Sequence, residues 1–306
     1  MLLYIGKRLF QSLVVIFIVV LFIFVLMRVA PGDPARLMLP ENATEEEVAD
    51  MRAFLGLDKP IPQQFIAYII GILHGDFGTS MVYNRPVMDV ILVRIPNTLK
   101  LSVGTILFAI LIAVPLGIYA AVKRGRIIEF ICMAFALIGQ SMSAMWLGVL
   151  LIFTFSVNLG WLPALGTGGL VYMILPVITL GYPMAAGLTR IARSEMVDTL
   201  SEDYITATYA RGVGKMEVYL KYGLKNAMIP VITMLGLTLG LSLGGTVIAE
   251  NMFGWTGLGS LMNQSINARD YPMVQGQLFI IAAVFAVINL AVDIILSFVN
   301  PRLTLE

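Results

Sequence analysis

The sequence predicts an all-α polytopic membrane protein with six transmembrane helices and cytosolic N and C termini. Three observations support this fold class: 58% of the 306 residues are hydrophobic, 13% are charged, and several long stretches carry no charge. A soluble domain carries about 25% charged residues, so a soluble enzyme is excluded. The net charge of +1 argues against a nucleic-acid binder, which needs a basic excess. One cysteine and one histidine exclude an internal disulfide and a multi-histidine metal site.

Charge-free stretches mark the predicted membrane spans. Crossing a bilayer takes about 20 apolar residues of helix, and a charge at mid-span costs roughly 2.5–3.5 kcal/mol. One charge-free stretch, 130–189, is too long for a single crossing, and its turn-rich sequence at 158–169 predicts a break. The six predicted spans are 9–27, 101–122, 133–156, 171–189, 226–249 and 271–292.

Basic residues indicate the orientation, because short cytoplasmic loops carry an excess of Lys and Arg. The short loops predicted to lie outside, 158–170 and 250–270, hold none and one of these residues. The predicted inner segments hold two, three, six and one, in the order 1–8, 123–129, 190–225 and 300–306. The apolar run of the first span exceeds the roughly 7–15 residues of a signal peptide, so it is expected to be a retained anchor.

The predicted spans divide the chain into three parts. A first transmembrane helix occupies residues 1–28, an external cap segment covers 29–100, and a transmembrane core covers 101–306. The core includes a long cytosolic loop at 190–225.

The external segment has the sequence of a small folded cap. Thr44-Glu-Glu-Glu47 is a capping-box pattern ahead of a helix that is expected to stop at Gly56. A second apolar-periodic stretch follows Pro62 and closes at His74. Two roles stay open for this cap: it covers helix ends and contacts a partner protein, or it touches solute or a docking protein directly.

The loop 190–225 holds six basic and five acidic residues and is too long for a plain connector. The stretch from Tyr204 to Gly212 reads as a short helix ended by a glycine. A charged, structured loop in a chain without a cytosolic catalytic domain favours docking to another subunit. A solvated helix on the membrane surface is the alternative.

Within the spans, three features suggest specific roles. Small residues every fourth position leave a bare helix face for close packing, with pore lining as the alternative; they are Gly236, Gly240 and Gly244. A polar group in the third span indicates a wet translocation path; it consists of Gln140, Ser141 and Ser143. Asp293 either reaches cytosolic water near the end of the last span or has a proton or ion role.

Enzyme functions find little support in the residues. The chain has no G-x-x-x-x-G-K-[ST] motif, so it cannot bind ATP by a P-loop. An intramembrane hydrolase with Ser141 as the nucleophile would need His74 as its base, because that is the only histidine. His74 belongs to the external segment, however. The residues therefore favour a passive pathway protein that needs partners.

Seven short stretches carry a specific resemblance. They are Ala30-Pro-Gly-Asp-Pro34, Leu55-Gly-Leu-Asp-Lys-Pro60, His74-Gly-Asp-Phe-Gly-Thr-Ser80, Tyr222-Gly-Leu-Lys-Asn-Ala-Met-Ile-Pro-Val-Ile-Thr233, Gly254-Trp-Thr-Gly-Leu-Gly259, Ala268-Arg-Asp-Tyr271 and Asn300-Pro-Arg302. On these residues the chain resembles, end to end, the permease subunits of ATP-binding-cassette (ABC) importers for dipeptides, oligopeptides, nickel and glutathione. It is most similar to the subunit type with the long first periplasmic segment, and to its glutathione and dipeptide permeases.

The resemblance implies a multi-pass type I ABC importer permease in a bacterial or archaeal cytoplasmic membrane. It implies a heterodimer with a second homologous permease, two cytosolic ATP-binding subunits and an extracytoplasmic solute-binding protein. ATP and Mg would sit on the ATPase subunits, so this chain itself needs no cofactor or metal and is not an enzyme. The expected substrates are di- or oligopeptides or glutathione-like peptides. The alternatives are a nickel or metallophore importer of the same family and an ATP-independent channel.

The family docks to its ATPase through a motif written EAA, three residues, Gly, nine residues, I-x-L-P. In this sequence Thr206-Ala-Thr208 occupies the EAA positions, Gly212 matches, and Leu224 matches the leucine. The acidic first position and the proline are missing. The resemblance implies ATPase-coupling positions at Tyr204, Thr206, Ala207, Thr208, Arg211, Gly212 and Leu224.

Overall fold

A computed structural model describes residues 2–29, 34–37, 39–40, 42–54 and 56–299. Helices account for most of this part of the chain, and two short strands pair antiparallel, with Thr79 opposite Pro86. The elements before the first long core helix are α1 (Leu2–Val29), α2 (Pro34–Leu37), α3 (Glu45–Phe54), α4 (Ile61–His74), β1 (Thr79–Ser80) and β2 (Arg85–Pro86). The following elements are α5 (Val87–Val122), α6 (Ile127–Ser141), α7 (Ala144–Leu151, continued by a π-helix over Ile152–Asn158), α8 (Val171–Leu200), α9 (Asp203–Ala210), α10 (Lys215–Glu217, continued by a π-helix over Val218–Gly223), α11 (Leu224–Met252), α12 (Leu258–Asn267) and α13 (Tyr271–Val299).

Most predicted spans fall on helices of membrane-crossing length. Among the described residues, four helices are long and apolar enough to cross a bilayer, over Arg8–Leu26, Val87–Val122, Val171–Leu200 and Tyr271–Val292. A bent pair, α6 with α7, makes a fifth candidate. The stretch predicted as the fifth span, 226–249, lies within the single helix α11.

The third predicted span is not one straight helix. α6 ends at Ser141, and Met142 and Ser143 adopt extended backbone, with ψ near 132° and 133°. α7 then continues at an angle of 102° to α6. This break was not predicted, because no proline or charge lies between 130 and 156.

Two helices extend beyond the predicted spans by more than ten residues. α5 begins at Val87, within the predicted external segment, and α8 continues to Leu200, past the predicted end of its span at 189. Charge gaps locate only the part of a helix that lies in hydrocarbon. The backbone hydrogen bonds that hold a helix together continue on either side of that region.

The described part of the chain forms two compact units, each with its own core. The larger unit holds residues 2–5, 99–255 and 288–299, and the smaller unit holds the described residues of 6–98 and 256–287. The larger unit contains a core of small and aliphatic side chains that includes Ala113, Ala185, Leu188 and Val231. The smaller unit buries Phe77, Val87, Ile91, Leu261 and Met273.

The capping-box pattern predicted at Thr44 is confirmed. The backbone N–H of Thr44 donates to Glu47 Oε2 over 2.7 Å, and the N–H of Glu47 donates to Thr44 Oγ1 over 3.3 Å. α3 follows at Glu45, and Gly56 has the left-handed φ of 65° that a glycine stop needs. The second predicted helix is also present as α4, which ends at His74.

Candidate coupling site and translocation path

The predicted coupling helix exists as α9. It starts after Glu202, with Asp203 in its first turn, where a negative charge complements the helix dipole. The hydroxyl of Thr208 donates to the carbonyl of Tyr204 over 2.7 Å. The chain leaves the helix through Gly212, whose φ of +82° is strained for any other residue.

α9 buries one face and exposes the other. Ile205 and Thr208 are buried, at 1% and 5% exposure. The exposed coupling positions are Tyr204, Thr206, Ala207, Arg211 and Gly212. Of the seven predicted positions, Thr208 is therefore buried, whereas five others are exposed.

Hydrogen bonds of Tyr204 attach α9 to the beginning of α11. The Tyr204 hydroxyl donates to the carbonyl of Tyr222 over 3.3 Å and accepts from Asn226 Nδ2 over 2.7 Å. Leu224, the last predicted coupling position, is the half-buried first residue of α11.

Packing links the same region to the end of α8. Met196 is fully buried and shares a hydrophobic cluster with Ala121 and Ala227. Gly223 is buried, and a Cβ added there would lie 2.8 Å from Met196 Cε, so the chain between α9 and α11 packs against side chains of α8. α8, α9 and α11 are therefore connected at this end.

Two ionisable groups of this region have shifted pKa values. Partial burial, and then a hydrogen bond with Tyr219, raise the pKa of Tyr209. The carboxylate of Glu217, 3.1 Å away, raises the pKa of Lys221. Because both pKa values are raised, Tyr209 stays neutral and Lys221 stays protonated at neutral pH. Lys221 is paired with Glu217 of the same helical segment.

The three predicted path residues lie at the break between α6 and α7. Gln140, Ser141 and Ser143 are all exposed. Arg190 of α8, also exposed, donates from Nη1 to Gln140 Oε1. The prediction of a polar cluster here is consistent with this geometry, and the structure adds a charged side chain to it.

An ion pair that the sequence did not reveal lies on the same two helices. Arg193 of α8 donates through Nε and Nη2 to Glu129 of α6, whose other oxygen accepts from the N–H of Gly125 over 2.6 Å. Arg190 and Arg193 are one turn apart on α8. Their spacing could have been noticed only if α8 had been predicted to continue past 189.

The predicted packing glycines are partly described. A Cβ at Gly236 would overlap Val292 of α13, so this position is in close helix contact. Gly240 and Gly244 belong to α11, but their surroundings lie outside the part that the structure describes. The same holds for the side chain of Asp293 and for the motif stretches Pro31–Asp33, Leu55 and Asn300–Arg302.

Two of the stretches that carry the family resemblance meet in the structure, one containing Ser80 and the other Asp270. We call their meeting point the Asp270 cluster; it consists of Ser80, Val82, Tyr83, Asp270 and Met273. Ser80 Oγ donates to Asp270 Oδ2, and the Val82 N–H donates to the same oxygen over 3.3 Å. Asp270 Oδ1 accepts from the Met273 N–H over 3.3 Å and so caps α13. Ser80 Oγ accepts from the Tyr83 N–H over 3.1 Å. Ser80 and Asp270 are both fully buried, so this carboxylate joins the strand hairpin to the start of α13.

A second contact of the smaller unit holds α12, a helix that the sequence analysis missed. Thr98 Oγ1 accepts from the Leu258 N–H over 2.8 Å. α12 buries Leu258, Leu261 and Met262 and exposes Asn263 and Asn267. The apolar spacing of 258, 261 and 262 was a readable signal of a helix.

Comparison with known proteins gives a consistent result. Residues 113–305 match the family described as "Binding-protein-dependent transport system inner membrane component", and residues 1–102 match the corresponding N-terminal family. The chain is 44% identical over 303 residues to the glutathione transport system permease protein GsiC of Salmonella choleraesuis, and 43% identical to GsiC of Escherichia coli K12. In both cases 99% of each chain is covered.

Solved structures support the fold. A structure of the MetNI methionine ABC transporter in an inward-facing conformation matches with a TM-score of 0.59 at 20% identity, covering 70% of this chain and 97% of the other. An amino acid ABC transporter crystallised with histidines matches with a TM-score of 0.52 at 17% identity, covering 70% and 94%. At these identities the likeness concerns the fold alone.

Proposed function

The chain belongs to the family of binding-protein-dependent inner-membrane transport components, and from this premise we propose that it translocates di- or oligopeptides, including glutathione-like peptides. Family membership makes it the permease subunit of an ABC importer in the inner membrane. ATP hydrolysis and solute capture belong to separate ATPase and binding-protein subunits. The observation that supports a peptide substrate is the 44% identity to a glutathione permease over nearly the whole chain.

Uptake in cells tests the substrate directly. Cells that make the complete transporter, with or without this chain, are given radiolabelled glutathione, a radiolabelled dipeptide or a nickel salt. We expect peptide accumulation only when the chain is present. Nickel accumulation without peptide accumulation would contradict the substrate assignment.

We further propose six membrane spans with both termini in the cytosol. α11 is the additional span, and the bent α6–α7 pair counts as one crossing. The chain pairs with a second homologous permease, and the pair binds two ATPase subunits. Within the chain, Gly236 packs against α13, and Gly240 and Gly244 continue that packing face along α11.

The proposed coupling mechanism uses α9 as the receiver of the ATPase movement. ATP-driven closure of the ATPase dimer pushes the exposed face around Ala207. Tyr204 passes the displacement to α11 through its two hydrogen bonds, and packing at Met196 passes it to α8. Rocking of α8 and α11 then changes the side of the membrane to which the path is open.

A charge on the receiving face tests this mechanism. The variant Ala207→Glu places a carboxylate on the exposed face of α9, and Ala49→Glu is its control, because Ala49 is an exposed alanine of α3. We expect Ala207→Glu to lose most peptide uptake and most stimulation of ATPase activity by the binding protein. Ala49→Glu should keep its stimulated ATPase activity. Normal coupling in Ala207→Glu would contradict the role of α9.

We propose that the exposed polar group at the α6–α7 break lines the translocation path. Exposed polar side chains within a candidate span are costly against lipid, and Gln140 together with Arg190 gives this stretch a charge and hydrogen-bonding capacity. A transported peptide would exchange its hydration shell for such groups as it passes.

Cysteine labelling tests the path. In a Cys132→Ala background, Ser141→Cys should react with a charged thiol reagent, and a transported peptide should slow the reaction. Leu13→Cys is the control, because Leu13 is an exposed apolar residue of the α1 span and should not react. Equal reactivity at both positions, or none at Ser141→Cys, would contradict the assignment.

A further inference from the structure

α4 is unusual among the elements that connect α1 to the strand hairpin. Its 14 residues, Ile61–His74, include no Asp, Glu, Lys or Arg. Its neighbour α3 carries acidic residues throughout its first turn. We therefore expect the charged helix α3 to lie in water and the uncharged helix α4 to lie in apolar surroundings.

One face of α4 packs against the part of α1 that crosses the membrane. The Phe65 ring centroid lies 4.9 Å from that of Phe24 and 6.2 Å from that of Phe17. Tyr68 stacks on Phe24 with centroids 6.0 Å apart. Both phenylalanines of α1 belong to the candidate span Arg8–Leu26. Phe17 is near the centre of that span, and Phe24 is about 10 Å farther along the helix, so α4 lies beside the hydrocarbon-spanning part of α1.

The opposite face of α4 is an exposed apolar stripe. Ile66, Ile70 and Leu73 are 57%, 50% and 78% exposed, and their spacing of four and then three residues puts them on one side of the helix. The part of α1 beside α4, from Phe17 to Phe24, also exposes apolar side chains, among them Phe17 and Phe22. The two stripes belong to neighbouring helices and have the same chemistry.

The C-terminal end of α4 is closed by its own backbone. The N–H of Gly75 bonds to the carbonyl of Ile72 over 3.0 Å, and that of Asp76 bonds to the carbonyl of Gly71 over 2.8 Å. His74 Nδ1 lies 2.8 Å from the carbonyl of Ile70. A helix end in or near hydrocarbon needs such partners, since water cannot supply them there.

We propose that α4 is embedded in the bilayer leaflet that surrounds the C-terminal half of α1, and that Ile66, Ile70 and Leu73 contact lipid acyl chains. At 14 residues α4 is about 21 Å long, which is too short to cross a hydrocarbon core of about 30 Å. It therefore dips into one leaflet rather than spanning the membrane. This differs from the external cap that the sequence suggested for this segment.

Spin labelling tests this placement in the full chain, reconstituted with its partner subunits in vesicles of phosphatidylethanolamine and phosphatidylglycerol. Single cysteines replace Ile66, Ile70 or Leu73 in the Cys132→Ala background and carry a nitroxide. Collision with molecular oxygen reports lipid, and collision with a water-soluble nickel chelate reports water. The control position is Ala49 on the exposed side of α3.

We expect oxygen to relax the labels at 66, 70 and 73 more strongly than the nickel chelate, and the reverse order at 49. Nickel-chelate accessibility at 70 equal to that at 49 would place α4 in water and overturn the proposal. Protection from both reagents would mean that a protein partner covers the stripe, which would also overturn it. Because the three positions are exposed, their substitution leaves the packing on α1 intact.

Discussion

The Asp270 cluster and the segment around α9 both lie between long helices, but they differ in burial. The polar side chains of the cluster are buried and hydrogen-bonded, whereas most of the α9 surface is exposed. In the cluster, Ser80 and Asp270 are buried and bonded to each other and to backbone N–H groups. In the α9 segment, only Ile205 and Thr208 of the helix are buried, and most of the surface around Ala207 is open. The first region is completed within the chain, and we propose that the exposed face of the second receives another subunit.

The two regions are expected to respond differently to substitution. A buried carboxylate with three donors holds two distant stretches of sequence in one arrangement. On α9, exposed positions such as Ala207 can be changed without disturbing the buried Ile205 and Thr208. Substitutions should therefore affect folding in the first region and transport in the second.

The largest effect on stability is expected for Asp270→Ala. It leaves the buried Ser80 Oγ and the buried Met273 N–H without their acceptor, at a cost of about 3 kcal/mol in the free energy of unfolding. Thermal unfolding of the purified protein in detergent measures the loss. Asp50→Ala in α3, where the aspartate is exposed, should change stability by less than about 0.5 kcal/mol. If Asp270→Ala were as stable as Asp50→Ala, the Asp270 cluster would not have the stabilising role that distinguishes it from the α9 segment.

A smaller effect is expected at the end of α9. Gly212 and Gly214 both have open space around an added Cβ, but only Gly212 has a left-handed φ, +82° against −65°. Gly212→Ala should therefore destabilise the protein by about 1–2 kcal/mol and reduce coupled transport, whereas Gly214→Ala should do neither. Unfolding and uptake assays on the pair measure both effects. Equal behaviour of the two variants would show that the backbone at 212 does not set the helix end.

The smallest effect concerns Glu47, which caps α3 at the protein surface. The hydrogen bonds from the N–H and hydroxyl of Thr44 lower its pKa from the ordinary value of 4.5. Its folded pKa is depressed, so the contribution to stability is present above pH 4.5 and is lost as the pH falls through the folded pKa. Hydrogen exchange of 45–54 should therefore show α3 opening more in acid. The variant Glu47→Gln should show no such added opening, and an identical acid response in both proteins would contradict the capping role.

Local patterns were readable from the sequence because their causes are local. The capping box at Thr44, the helix ends at Gly56 and Gly212, and most of the membrane helices follow from neighbouring residues. The contact of Ser80 with Asp270 could not be predicted in this way. Both residues lie in recognised family stretches, but 190 positions separate them, and only the fold brings them together.

In the candidate site too, local features could be predicted from the sequence and contacts between distant residues could not. The helix of the coupling segment was expected from 204–212, whereas its exposed face was not predicted, and its attachment through Asn226 depends on the approach of α11. The polar residues at 140, 141 and 143 were noted, but the break between them and the approach of Arg190 were not. No proline or charge marks the bend locally, and α6 and α7 both pack against the distant helix α8.

Site-specific photocrosslinking tests most directly whether α9 contacts the ATPase subunit. Benzoylphenylalanine replaces Ala207 in one variant and Ala49 in another, and each assembled transporter is irradiated in its membrane. We predict a crosslink to the ATPase subunit from position 207 and none from position 49. A crosslink from 207 to lipid or to the other permease alone, without the ATPase, would contradict the account.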